Sequence, residues 1–204
     1  INNGQTCGAL KRLYVHESVH DALCDELAKA ASGANMGDGS DEATEQGPIQ
    51  NKMQYEKVTG LYKDAVANGG RVLCGGDIPD GAGYFMPYTI VADVTDGMRI
   101  VDEEQFGPIL PVIKYSSLDD AIAGANGLET GLGGSVWTSD PARGADVAAR
   151  LECGSAWVNS HGGIAPNVPF GGVKCSGIGV EFGEEGMQEY TTIQVVTIPK
   201  TAAA

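Results

Sequence analysis

Hydrophobic positions repeat with helical spacing in two stretches of the first half of the chain. In the first stretch, Val19, Leu23 and Leu27 recur every four residues, which predicts the inner face of an amphipathic helix that ends at Gly33. The second stretch has the i, i+3, i+4, i+7 stripe of a core-facing helix, and Asn51 precedes it as the start signal. This stripe consists of Val58, Leu61, Tyr62 and Ala65.

Short apolar runs, several of them rich in β-branched residues, alternate with the helical stretches. They predict strands at residues 13–15, 71–74, 84–91, 109–115, 134–138 and 155–159. Pro87 removes one ladder donor from the third run, so we expect that strand at a sheet edge or interrupted, whereas the last run is short and buried. Strands that alternate with helices indicate an α/β fold with a parallel sheet and crossover helices.

Capping residues mark the start of the first helix and of two further helices. Ser18, with Asp21 three residues on, resembles a capping box at the start of the first helix. Ser117 precedes the first of the two further helices. Asp140, followed by a proline, predicts the other, which runs to Leu151.

The last third of the chain contains a long loop and a terminal strand. The glycine- and proline-rich residues 162–179 read as one loop, and loops of that length in compact domains are usually functional. Residues 191–198 are rich in β-branched side chains and follow a helix that is expected to end near Tyr190. This strand would be an orphan edge without a partner in the same chain.

Composition excludes several classes of protein. With 204 residues, 42% hydrophobic and 20% charged, the chain fits one globular domain that needs no disulfide or metal. No apolar run approaches the roughly 20 residues that span a bilayer, so no membrane association is expected. Thirteen basic and 27 acidic residues give a net charge of -14, which disfavours nucleic acid as a partner.

Cysteine and histidine positions give no sign of a metal site. Five cysteines without C-x-x-C spacing predict reduced thiols and a cytoplasmic location. His16 and His20 stand four residues apart, but His20 is expected in the first turn of a surface helix beside Asp21. We therefore predict a solvated pair there rather than a zinc site.

Cys7 is the candidate nucleophile. It follows the turn-forming run N-N-G-Q-T at residues 2–6, and residues 8–12 predict a short helix with Cys7 at its N-terminus. A helix N-terminus lowers the pKa of a thiol, and Lys11 and Arg12 add cationic character one turn on. The alternative is an inert core cysteine, which is the more common fate of a single intracellular thiol.

Three motifs in the same order give the chain a family resemblance. They are N-N-G-Q-T-C at residues 2–7, E-E-Q-F-G-P at residues 103–108 and P-F-G-G-V-K-C-S-G at residues 169–177. They resemble the N-x-G-Q-x-C, E-E-x-F-G-P and P-F-G-G-x-K-x-S-G segments of the aldehyde dehydrogenase superfamily, and the resemblance extends to about Pro199. It implies the catalytic domain of an NAD- or NADP-dependent oxidoreductase that acts on a small-molecule aldehyde.

The resemblance also implies a mechanism. The Cys7 thiolate attacks the carbonyl, the Cys7 backbone N–H stabilises the oxyanion, and hydride passes to the nicotinamide. A thioester on Cys7 is then hydrolysed by water. Glu104 matches the carboxylate that accepts hydrogen bonds from the nicotinamide ribose, and Phe106 matches an aromatic near the nicotinamide. A solvent-facing charge and a core aromatic are the respective alternatives.

Two residues near the end of the chain have implied roles on the substrate side, and the resemblance places a third, Asn159, near the site. Phe170 matches an aromatic that lines the substrate tunnel, and Glu181 matches an acidic residue of a proton relay. Glu181 could equally bond loop N–H groups, and Asn159 could simply end a strand. Residues 160–168 contain no lysine or arginine, so a strongly anionic aldehyde is not favoured.

Several parts of the family pattern are expected upstream of Ile1. These are the dinucleotide-binding domain that makes most cofactor contacts, the second oxyanion donor and the general base. The chain is therefore expected to be the catalytic-domain portion of a longer enzyme, with residues 1–190 in that domain and residues 200–204 as a tail. Residues 191–199 match the oligomerisation strand of a homo-oligomer, a dimer or a tetramer.

Two other functions remain open from the sequence. Cys7 could act without cofactor as a thiol esterase, although no histidine lies in a motif that suggests a Cys-His pair. Alternatively, the isolated chain is catalytically silent and serves as a folding or assembly module through its last strand. The identity of the aldehyde and the choice between NAD and NADP depend on residues expected upstream.

Overall fold

The computed structural model describes residues 1–200, and its contacts divide the chain into two compact units, Ile1–Leu128 and Glu129–Ala204. The first unit is an α/β layer built on a four-stranded sheet in the order β1-β4-β3-β2. Its strands are β1 (Leu13–His16), β2 (Arg71–Cys74), β3 (Thr89–Ala92) and β4 (Ile109–Tyr115). Three of them are parallel, and β2 pairs with β3 in the antiparallel sense, so the sheet is mixed.

The helices of the first unit cover both faces of this sheet. They are α1 (Glu17–Ser32), α2 (Lys52–Ala67), α3 (Arg99–Asp102) and α4 (Leu118–Asn126), and a one-turn segment at Asn2–Gly4 precedes β1. Successive strand residues point to opposite faces, so β3 serves two cores. Val91 packs in a cluster with Val58 and Ala65 of α2, whereas Ile90 packs in a second cluster with Cys24 of α1.

The second unit has two small sheets and two helices. Strand β5 (Thr130–Gly131) pairs with β8 (Val173–Lys174) in the antiparallel sense, and β6 (Gly133–Val136) pairs with β7 (Ser155–Val158) in parallel. The helices are α5 (Pro141–Ala148) and α6 (Gly183–Gln188). The short β8 interrupts the predicted loop at residues 162–179, and β7 is partly exposed rather than buried.

The predicted helix starts are confirmed where a side chain caps the backbone. Asn51, Ser117 and Asp140 each accept a hydrogen bond from the first turn of α2, α4 and α5. For α1 the cap is His16, whose ring accepts from the Ser18 N–H at 3.2 Å, so the predicted capping box is wrong. The helix predicted after Asp140 ends at Ala148, earlier than expected.

The predicted inner face of α1 is wrong for Val19 and Leu23, whereas Leu27 packs against the core cluster that contains Cys24. Val19 is 53% exposed and Leu23 is 36% exposed, whereas His20 and Cys24 are buried against the sheet. The His20 ring contacts the Asp21 carboxylate at 2.8 Å and the Cys24 sulfur at 3.6 Å. Because both ring nitrogens have partners, burying this polar ring costs little, and the expectation of a solvated His20 does not hold.

Two strand predictions need correction. Pro87 lies before β3 rather than inside it, and β3 is not an edge strand, since it pairs on both sides. Residues 191–200 have no regular secondary structure, so the predicted strand at 191–198 does not form in this chain. The apolar side chains of this segment are exposed. A strand also needs a neighbouring strand to pair its backbone groups, and none pairs with this segment among the described residues.

Among the described residues, no helix is both long and apolar enough to cross a membrane.

Candidate active site

The segment before Cys7 has an unusual backbone. Asn2, Asn3 and Gly4 all have positive φ, at 50°, 55° and 72°. Asparagine and glycine are the residues that tolerate this left-handed region best, which explains why this sequence can form the turn. Consecutive strained residues persist only where the surroundings hold them, and such strain clusters at functional sites.

Two long-range hydrogen bonds hold this turn in place. The buried Asn3 side chain donates to the Gly47 carbonyl at 2.6 Å. The Gln5 side-chain oxygen accepts from the Gln50 N–H at 2.8 Å. Residues 47–50 therefore form the support on which the segment that carries Cys7 is built.

Cys7 is exposed and lies in a turn, not at the start of a helix. The turn is closed by a hydrogen bond from the Ala9 N–H to the Thr6 carbonyl at 2.9 Å. Residues 10–12 then lead directly into β1, which leaves too few residues to nucleate a helix. The predicted helix at residues 8–12 is therefore wrong, and Cys7 does not lie at a helix N-terminus.

Arg12, the second residue expected to add positive charge near Cys7, is engaged elsewhere. Its guanidinium donates to the carbonyls of Gly124 and Ala125 at the end of α4, at 2.9 and 2.8 Å. It also donates to the Tyr14 hydroxyl at 2.8 Å, which in turn donates to Asp96. Arg12 therefore caps a helix C-terminus, a position that favours cations.

Lys11 points towards the segment that carries Glu104. Its ammonium donates to the Val101 carbonyl at 2.9 Å. Burial, followed by the nearby Arg12 charge, lowers the pKa of Lys11 to about 8, although the carboxylates of Glu104 and Asp102 act in the opposite direction.

The two neighbouring glutamates differ in their partners. Glu103 forms an ion pair with Arg99 at 2.5 Å, and the hydrogen bond from Arg99 lowers the pKa of Glu103. Glu104 is exposed, and within the described part of the chain its side chain makes neither a hydrogen bond nor an ion pair. Of the two, Glu104 is the carboxylate that can accept hydrogen bonds from a ligand.

The turn after Glu104 is held from two sides. The buried Gln105 side chain donates to the Ile100 carbonyl, which fixes the turn on α3. From α2, the Gln54 side chain donates to the carbonyls of Gln105 and Phe106, at 2.6 and 3.0 Å. Phe106 has a positive φ of 51° and is half-buried, so this turn also stores backbone strain.

The Cys7 and Glu104 segments are packed backbone against backbone. A Cβ on Gly4 would overlap the carbonyl of Gly107, and a Cβ on Gly107 would overlap Val58 of α2. Glycine is therefore required at both positions. The structure thus brings together three residues singled out from the sequence: Cys7, Glu104 and Phe106 lie on two segments in direct contact.

The second unit pairs two other predicted residues. Phe170 and Glu181 form an isolated antiparallel bridge, with N–H to carbonyl distances of 2.8 Å in both directions. Phe170 is half-buried and Glu181 is exposed. Within residues 1–200 the Glu181 side chain makes no hydrogen bond, so it does not bond loop N–H groups.

The remaining motif residues of the second unit have structural partners. The Ser176 hydroxyl accepts from the Gly131 N–H at 2.8 Å, and Lys174 forms an ion pair with Glu152 at 2.7 Å. The Asn159 side chain exchanges two hydrogen bonds with the backbone of Thr138, so it ends the β6–β7 pair as strand termination predicts.

Four residues that anchor the two segments of the site were not predicted from the sequence: Asn3, Gln5, Gln54 and Gln105. Asn3 donates to the Gly47 carbonyl, 44 residues away, and Gln54 donates to the Gln105 carbonyl, 51 residues away. A single polar side chain carries no signal of so distant a partner. Only the run of two asparagines before Gly4 hinted at left-handed backbone.

The geometry in the first unit fits nucleophilic chemistry at Cys7. Cys7 offers an exposed thiol, and its own N–H has no acceptor among residues 1–200, so it remains available to a developing oxyanion. The described residues contain no cluster of three or more metal-ligating side chains.

Comparison with known sequences gives one family. The model of the "Aldehyde dehydrogenase family" matches residues 1–196. An aldehyde dehydrogenase of Paenarthrobacter nicotinovorans is 41% identical over 195 residues, which are 96% of this chain and 43% of that protein. The mitochondrial aldehyde dehydrogenase of Equus caballus is 37% identical over 97% of this chain and 40% of its own length. The chain thus spans about two fifths of these relatives.

Solved structures agree with the fold. The NAD+ complex of a Mycobacterium tuberculosis aldehyde dehydrogenase superposes with a TM-score of 0.93 at 35% identity, covering 100% of this chain and 42% of that one. The NAD+ complex of a Bacillus cereus aldehyde dehydrogenase gives a TM-score of 0.92 at 36% identity, with coverage of 98% and 40%. The α/β architecture of this chain is therefore the one that the sequence motifs implied.

Proposed function

Because the chain belongs to the aldehyde dehydrogenase family, we propose that the protein that carries it oxidises an aldehyde to a carboxylic acid through a thioester on Cys7. One observation supports this proposal above the others. The exposed Cys7 thiol follows a strained turn that is packed against the segment of Glu104 and Phe106. Backbone strain at that position costs free energy, and functional sites are where such costs are retained.

Residues of the first unit fit one part of a nicotinamide cofactor. Glu104 is an unpaired, acceptor-only carboxylate on a turn anchored by Gln54 and Gln105, so it suits the two hydroxyls of a ribose. Phe106 offers a half-buried aromatic two residues on. The bound nicotinamide supplies the hydride acceptor of the oxidation. NAD is named in the two solved complexes that resemble this chain, and NADP is the alternative.

Cys7 carries the covalent chemistry in this proposal. Its thiolate adds to the carbonyl carbon, and the Cys7 N–H donates to the oxygen as negative charge develops there. After oxidation the acyl group remains on Cys7 Sγ as a thioester. Water then cleaves the C–S bond, which releases the carboxylic acid and returns the thiolate.

Two residues of the second unit take roles on the substrate side. We propose that the Phe170 ring desolvates the aldehyde and that Glu181 relays protons for the hydrolytic step. The half-buried ring and the exposed, unpaired carboxylate support these roles.

The exposed C-terminal segment fits a role in assembly. Ile193, Val195, Val196 and Ile198 are all more than 70% exposed. We propose that residues 191–198 form the oligomerisation strand of a homo-oligomer, in which a neighbouring strand supplies the missing backbone partners. This feature would also serve the alternative in which the chain alone is only an assembly module.

Trapping the acyl intermediate tests the proposed chemistry. The full-length protein that carries this chain is mixed with NAD or NADP and a panel of aliphatic and aromatic aldehydes, then quenched in acid for peptide mass analysis. We expect reduced cofactor and an acyl group on the Cys7 peptide. Cys7→Ala should abolish both, whereas Cys175→Ala, which removes another exposed thiol, should retain both. Activity that survives in Cys7→Ala would disprove the mechanism.

A further inference from the structure

Two contacts join the Cys7 segment to the Glu104 segment, one on each side of Cys7. Before Cys7, Gly4 packs against the backbone of Gly107. After Cys7, the Lys11 ammonium donates to the carbonyl of Val101 at 2.9 Å. Glu104 lies between Val101 and Gly107 in the sequence. The two segments are therefore fastened on both sides of the residues that are proposed to react and to bind.

Of these two contacts, the Lys11 contact is the one that can change with pH. The Gly4 contact is steric and does not depend on charge, whereas the Lys11 contact uses a titratable donor. Burial, the principal cause, lowers the pKa of Lys11 to about 8, close to neutral pH. The strength of this contact and the positive charge next to Glu104 therefore change within the pH range in which enzymes work.

The charges around Lys11 come from three directions. Arg12 follows it in the chain, Lys57 approaches from α2, and Asp102 and Glu104 lie on the opposite segment. Arg12 is occupied by the end of α4, and Glu103, the other nearby carboxylate, is paired with Arg99. Glu104 has no such partner, so its carboxylate is the group whose position depends most on the Lys11 charge.

We infer that Lys11 is a positioning residue, which fastens the Cys7 segment to the Val101 carbonyl and orients the Glu104 carboxylate for the cofactor by its positive charge. This inference rests on the proposed function, because it gives Glu104 a ligand to hold. Lys11 itself need not touch substrate or cofactor. Its protonated form supports binding, and its neutral form supports it less.

Cofactor affinity as a function of pH tests the inference without relying on turnover. The dissociation constant of the full-length protein for NAD or NADP is measured by fluorescence titration from about pH 6.5 to about pH 9.5, a range that brackets the Lys11 pKa. For wild type we expect the affinity to fall roughly threefold to fivefold above about pH 8, the range expected for one weakened charge interaction at a partly exposed site.

Three variants assign this effect. Lys11→Gln should bind as weakly near neutral pH as wild type does at high pH, with no further fall. Lys11→Arg, which stays charged throughout, should lack the fall near pH 8. Lys52→Gln removes an exposed lysine of α2 that pairs with Glu56, and should follow wild type. If Lys11→Gln does not fold, the comparison of wild type with Lys11→Arg decides.

The outcomes separate this inference from the proposed function. A wild-type protein that binds neither cofactor and oxidises no aldehyde overturns the proposed function itself. A wild-type protein that is active, but whose cofactor affinity is flat from about pH 7 to about pH 9.5, overturns only the role of Lys11. The same conclusion follows if Lys11→Arg retains the fall that wild type shows.

Discussion

Gly4 packs so closely against the carbonyl of Gly107 that Gly4 cannot carry a side chain in the observed backbone. Gly4 leads into Cys7 and Gly107 ends the segment that begins with Glu104, so this contact sets the separation between the proposed nucleophile and the proposed cofactor ligand. The sequence motifs at residues 2–7 and 103–108 therefore pack against each other.

Substituting Gly4 with alanine should therefore destabilise the first unit and displace the Cys7 segment. The positive φ alone costs an alanine about 1–2 kcal/mol, and the overlap with the Gly107 carbonyl adds to it. Urea unfolding of Gly4→Ala checks this. Gly39→Ala is the matched control, because a Cβ there has no atom within 4 Å. Equal stability of the two variants would contradict the packing.

Thiol reactivity should follow exposure. Cys24 is 3% exposed and its burial raises the pKa of the thiol, whereas Cys7 and Cys175 are exposed. Iodoacetamide labelling near neutral pH, mapped by mass spectrometry, should modify the exposed Cys7 and Cys175 before the buried Cys24. Cys175 is the informative comparison, since it shares the exposure of Cys7. Equal labelling of Cys7 and Cys24 would argue against an accessible nucleophile.

In the full-length protein, Glu104→Gln should slow hydride transfer by about tenfold or more, which corresponds to a barrier increase of about 1.4 kcal/mol. The amide keeps the shape of the side chain but weakens two charge-assisted hydrogen bonds to the ribose. Thermal stability should barely move, because the Glu104 side chain makes neither a hydrogen bond nor an ion pair within the described chain. Single-turnover kinetics provide the measurement.

Glu103→Gln is the neighbouring control for that substitution. It removes the exposed ion pair with Arg99, and exposed pairs contribute at most about 1 kcal/mol to stability. Hydride transfer should stay near the wild-type rate. Near-silent effects of both substitutions would remove Glu104 from the proposed site.

Arg12→Met should lower the free energy of unfolding by about 2–4 kcal/mol, because hydrogen bonds from a charged donor are worth about 1.5–3 kcal/mol each. The variant leaves the carbonyls of Gly124 and Ala125 without their donor. Denaturant unfolding measures the change. Arg143→Met, at an exposed arginine of α5, should cost little. A loss below about 0.5 kcal/mol in Arg12→Met would show that water satisfies these carbonyls equally well.

Elements with a local signal were predictable from the sequence. The α2 stripe of Val58, Leu61 and Ala65 was correct because its spacing of three and four residues, with a capped start, has a single favourable face. The spacing of four residues failed for Val19 and Leu23 of α1, because Val19 and His20 begin two parallel stripes. The stripe that contains His20 is the buried one, because Asp21 and Cys24 provide hydrogen-bond partners for its two ring nitrogens.

For the candidate site, the sequence predicted individual residues but not how their segments pack. The motifs selected Cys7, Glu104, Phe106, Phe170 and Glu181. The contact between the segments of the first three residues became visible only in three dimensions. The predicted helix after Cys7 was wrong because propensity over five residues cannot compete with an immediate entry into β1. The strand predicted at residues 191–198 does not form in the described chain, where no neighbouring strand pairs with its backbone.

The left-handed turn at Asn2–Gly4 has a consequence for how the protein folds. Its support comes from the Gly47 carbonyl, 44 residues away, and the Lys11 contact reaches across 90 residues to Val101. Closing loops of this length costs entropy before any contact compensates for it, so the strained turn gains its support late. Residues 2–11 should therefore have φ-values near zero in a folding experiment. A folding intermediate in which these two contacts have not formed would lack the nucleophile geometry.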